Sequence, residues 1–176
     1  MPVVSGRRWA VVGVGLAFVA IVLGVLVASA LDDGGDDAST PLSSLRVESI
    51  GDAAAPFSGL TVTQLSVGGD CKQLVVADAE AERVAGLRGR ETAEPYDGMV
   101  FVFDGPTTTA FTMSGVVDPI QIAFYDGDGR PVSRHLMAPC PKADASCPVY
   151  AADGLFVYAV ETRPGELPTG ALSSCA

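Results

Sequence analysis

The sequence predicts a mainly β domain with one short helix, a β-sandwich or barrel-like fold, preceded by an amino-terminal transmembrane helix. Three observations carry this reading. Between Gly98 and Phe124 three short apolar runs, 99–103, 110–113 and 120–124, are separated by segments holding Gly, Pro and Asp. Such runs are too short for free-standing helices and are punctuated as strands are. A helical period shows over one stretch before these runs, 79–88, and residues 9–31 carry no charge at all.

As a helix rising about 1.5 Å per residue, 9–31 would reach about 34 Å, enough for a hydrocarbon core of about 30 Å. Arg7 and Arg8 stand before it, so the positive-inside rule places 1–8 in the cytoplasm and the bulk of the chain outside. Ala28-Ser29-Ala30 also offers a small-residue cleavage site, in which case the product would be secreted. Apolar cores of cleaved signals usually span about 7 to 15 residues, and this longer one favours a retained anchor. The expected location is the cell membrane, single-pass, with the carboxy-terminal domain outside. Ala20, Gly24 and Ala28 would let two such helices approach closely. An Ala-rich helix produces that spacing by chance, so it does not establish a homodimer.

Residues 32–44, DDGGDDASTPLSS, have nothing to bury and read as an acidic flexible tether. A calcium site on Asp32, Asp33, Asp36 and Asp37 is the less favoured reading of the same run. The extracytoplasmic domain then spans 45–176. Segments 45–50, 60–67 and 74–77 are expected strands. Over 79–88 Asp78 serves as N-cap, acids fill the first turn, Val84 and Leu87 share a face, and Gly86 and Gly89 close the helix. Strands 99–103, 108–114 and 120–125 follow. Asp126-Gly127-Asp128-Gly129 reads as a tight turn into a strand at 131–137, giving a hairpin, because no acid follows where a calcium loop would need one. A last strand, 155–161, precedes a turn at Pro164-Gly165.

The 176 residues include eleven basic and twenty-one acidic ones, a formal charge of −10. Since Arg7 and Arg8 precede the apolar segment, nine basic residues face all twenty-one acids beyond it. That balance argues against a nucleic-acid partner, whose phosphates need a basic face, and against adhesion to anionic head groups. Four cysteines on the exported side point to disulfides. Three pairings are open. Cys140 with Cys147 is expected because the two are close and flanked by prolines, and Cys71 with Cys175 because that bridge would staple the tail to the early part of the domain. His135, Cys140 and Cys147 as metal ligands would require reduced thiolates in an oxidising compartment and match no standard zinc spacing. No metal or cofactor is therefore expected, and the plain reading of His135 is a strand residue with its ring partly exposed.

From 74 to 165 the chain resembles a known family. GLRGR (86–90), DGMVFVF (97–103), FTM (111–113), PIQIAFYDGDGR (119–130), the pieces around Cys140 and Cys147, and AVE followed by PG (159–165) occur in an order similar to that of the DUF192 family, also called UPF0127. The resemblance implies a compact β-sandwich or barrel-like domain with one helix packed on it, commonly exported, and implies no activity. The family usually reads FWMKNT and PLDI where this chain has FTMSGV (111–116) and PIQI (119–122). Thr112, Ser114, Gly115 and Gln121 thus replace the polar or aromatic side chains that a shared site would use.

No nucleophile–base–acid set and no G-x-S-x-G occurs. The expected function is a non-catalytic, membrane-tethered module of the bacterial envelope that binds a small molecule or another envelope protein. Arg83, Arg90, Met113, Gln121, His135 and Glu161 are the candidate binding residues. The alternatives are a hydrolase using Asp118 and Glu161 for acid–base work, and a purely structural or assembly role.

Overall fold

The computed structural model describes residues 45–90, 92–142 and 146–176. The expected amino terminus (1–8), membrane span (9–31) with its small-residue stripe, and tether (32–44) lie outside the described residues. Among the described residues no helix is long and apolar enough to cross a membrane.

Short apolar runs become strands of one mixed sheet. Its elements are β1 (Gly51–Asp52), β2 (Thr61–Val67), β3 (Asp70–Ala77), α1 (Glu80–Ala85), β4 (Gly98–Thr107), β6 (Ile120–Tyr125), β7 (Pro131–Met137), β9 (Phe156–Thr162) and β10 (Leu172–Ser174). β5 (Phe111–Thr112) and β8 (Val149–Tyr150) form a separate two-stranded sheet. The large sheet runs β1-β2-β3-β4-β9-β6-β7, with β10 also paired to β2. Gly68 and Gly69, both at positive φ, close the β2–β3 hairpin as a two-residue loop. The β6–β7 hairpin forms at the expected Asp-Gly turn. There the Asp126 carboxylate accepts the N–H groups of Asp128 at 2.9 Å and Arg130 at 2.8 Å, the local bonding that makes Asp a turn residue. β3 and β4 are parallel, which requires a crossover, and α1 lies in it.

Side chains alternate across the sheet, and both faces are covered. Val75, Met99, Phe101, Ile122, Phe124 and Ala159 belong to one buried cluster, while Leu74, Val76, Val100, Ala123, Tyr158 and Val160 belong to the other. Strands buried on both faces read as continuous apolar runs, which is why 99–103 and 120–125 stood out without strict alternation. The first face is covered by Phe57, Leu87, Met113 and Val116. The second is covered by Leu167 and Leu172, with Leu45 and Val47 packed beside them.

Several expectations are corrected. The sheets are open: the path of the large one ends at β1 and β7 without closing into a barrel. Segment 45–50 is no strand. It is pinned instead by the Leu45 N–H to the Gly127 carbonyl at 3.2 Å and by the Tyr158 hydroxyl to the Leu45 carbonyl. The helix stops at Ala85, because Gly86 leaves the helical region with φ +48°. Its N-cap is Ala79 rather than Asp78, and the Glu82 carboxylate reaches back to accept the N–H groups of Asp78 and Ala79 at 3.1 and 3.0 Å. β4 runs on to Thr107 through an irregularity after Val102. The expected strand 108–114 shortens to β5, since the chain leaves the large sheet there to pair with β8.

Two disulfides join Cys71 to Cys175 and Cys140 to Cys147, the pairing the sequence suggested. The first fastens the end of β10 to β3. The second closes a loop against the turn that follows β5: the Gly115 N–H donates to the Cys140 carbonyl at 2.9 Å, and the Cys140 N–H donates to the Val116 carbonyl at 2.9 Å.

Candidate functional site

β9 lies between β4 and β6, so each of its residues meets a neighbour on both sides. Glu161 sits opposite Met99 and Ile122, two fully buried apolar residues. Two positions beyond Ala159 on the strand, it takes the same face as that residue and points into the first apolar cluster. A carboxyl there is costly unless paired. Glu161 is 6% exposed, and its side chain makes no hydrogen bond within the described structure. Burial alone pushes the carboxyl up to about 8. Among the described residues no buried side-chain oxygen or nitrogen is wholly enclosed without a partner, so the Glu161 oxygens keep access to the space beside them.

That space is a cavity of about 420 Å³ between the α1 segment and the sheet, and Glu161 lines it. Its walls are mostly apolar. Phe101 and Phe103 come from β4, where alternate positions share a face, and Phe111 comes from β5. The Phe111 ring meets Phe101 edge-on at 5.0 Å and Phe103 at 6.5 Å. Leu87, Met113, Val116 and Ile120 complete the apolar lining. Polar groups gather towards the outside, with Glu80 and Arg88 exposed and Thr109 and Thr112 on the β5 side. Thr112 stands where the family resemblance sets a tryptophan.

The structure brings together three of the six candidate residues. Arg83, Met113 and Glu161 all line this cavity. Met113 is 1% exposed and forms wall rather than a contact point for solvent. The Arg83 guanidinium donates to the Asp78 carbonyl and to the Val102 carbonyl at 2.8 Å, and it lies 5.0 Å from the Phe103 ring centroid. Its charge is committed to fastening α1 onto β4. Arg90 lines a neighbouring cavity of about 430 Å³ instead, donating to the Gly86 carbonyl at 2.8 Å with its guanidinium 4.6 Å from the Phe57 ring.

Gln121 and His135 lie apart from both cavities. The Gln121 amide oxygen accepts the Gly165 N–H at 3.2 Å, holding the turn after β9. His135 is half-buried on β7, its Nε2 at 2.8 Å from the Ala151 carbonyl and its ring beside Phe124 and Tyr150. Asp118 lines the second cavity and not the first, so the two carboxylates considered for acid–base work do not face one space.

Sequence reasoning overlooked the three phenylalanines and Arg88. The Phe-x-Phe spacing at 101 and 103 was the available signal, since it puts two rings on one strand face. Phe111 had none, because its position depends on the chain leaving the large sheet.

Two solved structures share the fold. One is a protein of unknown function from Novosphingobium aromaticivorans, with a TM-score of 0.57 and 23% identity over 69% of this chain and 89% of that one. The other, described as a candidate transcription regulator from Sinorhizobium meliloti, has a TM-score of 0.50 and 21% identity over 62% and 88%. No curated protein matches the chain. The DUF192 family model, described as "Uncharacterized ACR", matches residues 63–173 and so takes in most of β2 and every strand from β3 to β9 together with the cavity; the chain belongs to the DUF192 family.

Proposed function

We propose that this chain presents a non-catalytic small-molecule-binding domain outside the bacterial cytoplasm, held at the membrane by its amino-terminal segment. One observation carries the binding reading: an apolar, phenylalanine-walled cavity of about 420 Å³ with a single unpaired carboxyl at its base. Ligand sites typically occupy about 300–1,000 Å³ and combine apolar walls with few polar groups. Export is supported by the charge-free run at 9–31 behind Arg7 and Arg8, and by four cysteines joined as two disulfides.

The test uses the mouth of the cavity. Val84 lines it and is 59% exposed, so Val84→Trp narrows the entrance without touching the core. Small molecules retained from cell extract by the wild-type chain and identified by mass spectrometry should be lost from Val84→Trp. Equal retention by both proteins would refute the site. Protease treatment of intact cells tests the placement: digestion of the domain is expected, and full protection would overturn it.

A further inference from the structure

We propose that the cavity takes a small apolar or aromatic molecule bearing a protonated amine, with the ammonium against the Glu161 carboxylate and the apolar part among Phe101, Phe103 and Phe111. The inference rests on the binding reading above and adds the chemistry of the ligand. Three independent features point the same way. The Glu161 carboxyl lines the cavity without a hydrogen-bond partner, so it is the one group there whose bonding capacity is unspent at depth. Phenylalanine faces attract cations, as the Arg83 guanidinium already shows at 5.0 Å from the Phe103 ring. Twenty-one acids against eleven bases give the whole chain a field that draws cations and repels anions.

The other charged groups at this cavity are Glu80 from the first turn of α1, Arg83, and Arg88 beyond the helix. Arg83 is already bonded to two backbone carbonyls, while Glu80 and Arg88 are exposed to solvent. None of them competes for the carboxyl at the base. With its pKa pushed up to about 8, that carboxyl is protonated in the empty cavity at neutral pH, whereas an alkylamine is charged. An arriving ammonium therefore pairs with a carboxylate only after the carboxyl gives up its proton to solvent. Binding and proton release are coupled, and affinity rises with pH until the carboxyl is already ionised.

The experiment titrates the full chain with 2-phenylethylamine, and with 2-phenylethanol as its neutral counterpart, by calorimetry in buffers of differing ionisation enthalpy. The expected result is preference for the amine, release of close to one proton at pH 6, and an affinity gain of about tenfold per pH unit below pH 8 that levels above it. Glu161→Gln should weaken the amine about tenfold or more and abolish the pH dependence while leaving the alcohol unaffected. If Glu161→Gln does not fold, the wild-type pH profile still decides. Equal binding of the alcohol and the amine, lost in Val84→Trp, would overturn the amine inference and leave the cavity reading standing. Binding of neither probe would overturn the amine inference, and equal extract retention by Val84→Trp would then remove the cavity reading as well.

Discussion

A single ionisable side chain on the inner strand β9 makes this domain's stability depend on pH. The Glu161 carboxyl rises from an ordinary 4.5 to about 8 on folding, so between those values the unfolded chain has lost a proton that the folded chain keeps. Stability attributable to this group is complete below about pH 4.5, falls as pH rises through the interval, and is flat above about 8. At roughly 1.4 kcal/mol per pKa unit the loss amounts to a few kcal/mol. Urea unfolding from pH 5 to 8 should therefore show declining stability in the wild type. In Glu161→Gln the decline should largely disappear, making the variant the more stable protein at pH 8; parallel profiles would show that the carboxyl is not buried as described. Beside it, Gly98 permits the close approach of β4 to β9, because a Cβ at that position would collide with the Glu161 carbonyl. Gly98→Ala should cost about 1–3 kcal/mol through overpacking, measured as a lowered urea midpoint. Glu161 could be named from sequence, as an acid ending the apolar run at 155–161. Its want of a partner could not, since that depends on Met99 and Ile122 being its neighbours.

At the scale of elements, the wall carrying Phe111 and Met113 belongs to neither the large sheet nor the helix. It is held by the β5–β8 pairing and by the Cys140–Cys147 loop, through the bonds of Gly115 and Cys140. On the chain-entropy view this short loop stabilises by about 2.5 kcal/mol, and the long one closed by Cys71 and Cys175 by about 4.7 kcal/mol. Replacing both members of a pair by serine should thus lower the urea midpoint more for Cys71 and Cys175. Removal of the shorter bridge should have the greater effect on probe affinity, because it alone supports a wall of the cavity. If both replacements weaken binding equally, the wall does not depend on that loop. The long apolar strands and the Asp-Gly hairpin were legible because their signals are local. β8 and β10 were not: two- and three-residue strands have no period to read, and both exist by pairing with distant partners.

For the molecule as a whole, an open sheet with two apolar faces needs a cover on each side, and the second face takes part of its cover from the segment before β1. Leu45 and Val47 pack against the cluster built on Leu74, Val100, Tyr158 and Val160. The Leu45 backbone is held at both ends, its N–H on the β6–β7 turn and its carbonyl on the Tyr158 hydroxyl. Alternation in 45–50 suggested a strand because Leu45 and Val47 do pack on the sheet, yet they do so as a covering segment, and Ile50 stays exposed. Ladder pairing begins with the two residues of β1. This segment lies outside the stretch matched by the family model, which begins at residue 63. A domain boundary drawn from the family match would therefore cut away part of the core. Residues 45–176 produced alone should unfold in one cooperative urea transition. Residues 53–176 should be less stable by about 2–4 kcal/mol, from two partly buried side chains, the β1 pairing and the Tyr158 bond. Equal midpoints for the two proteins would show that the second face is closed without this segment.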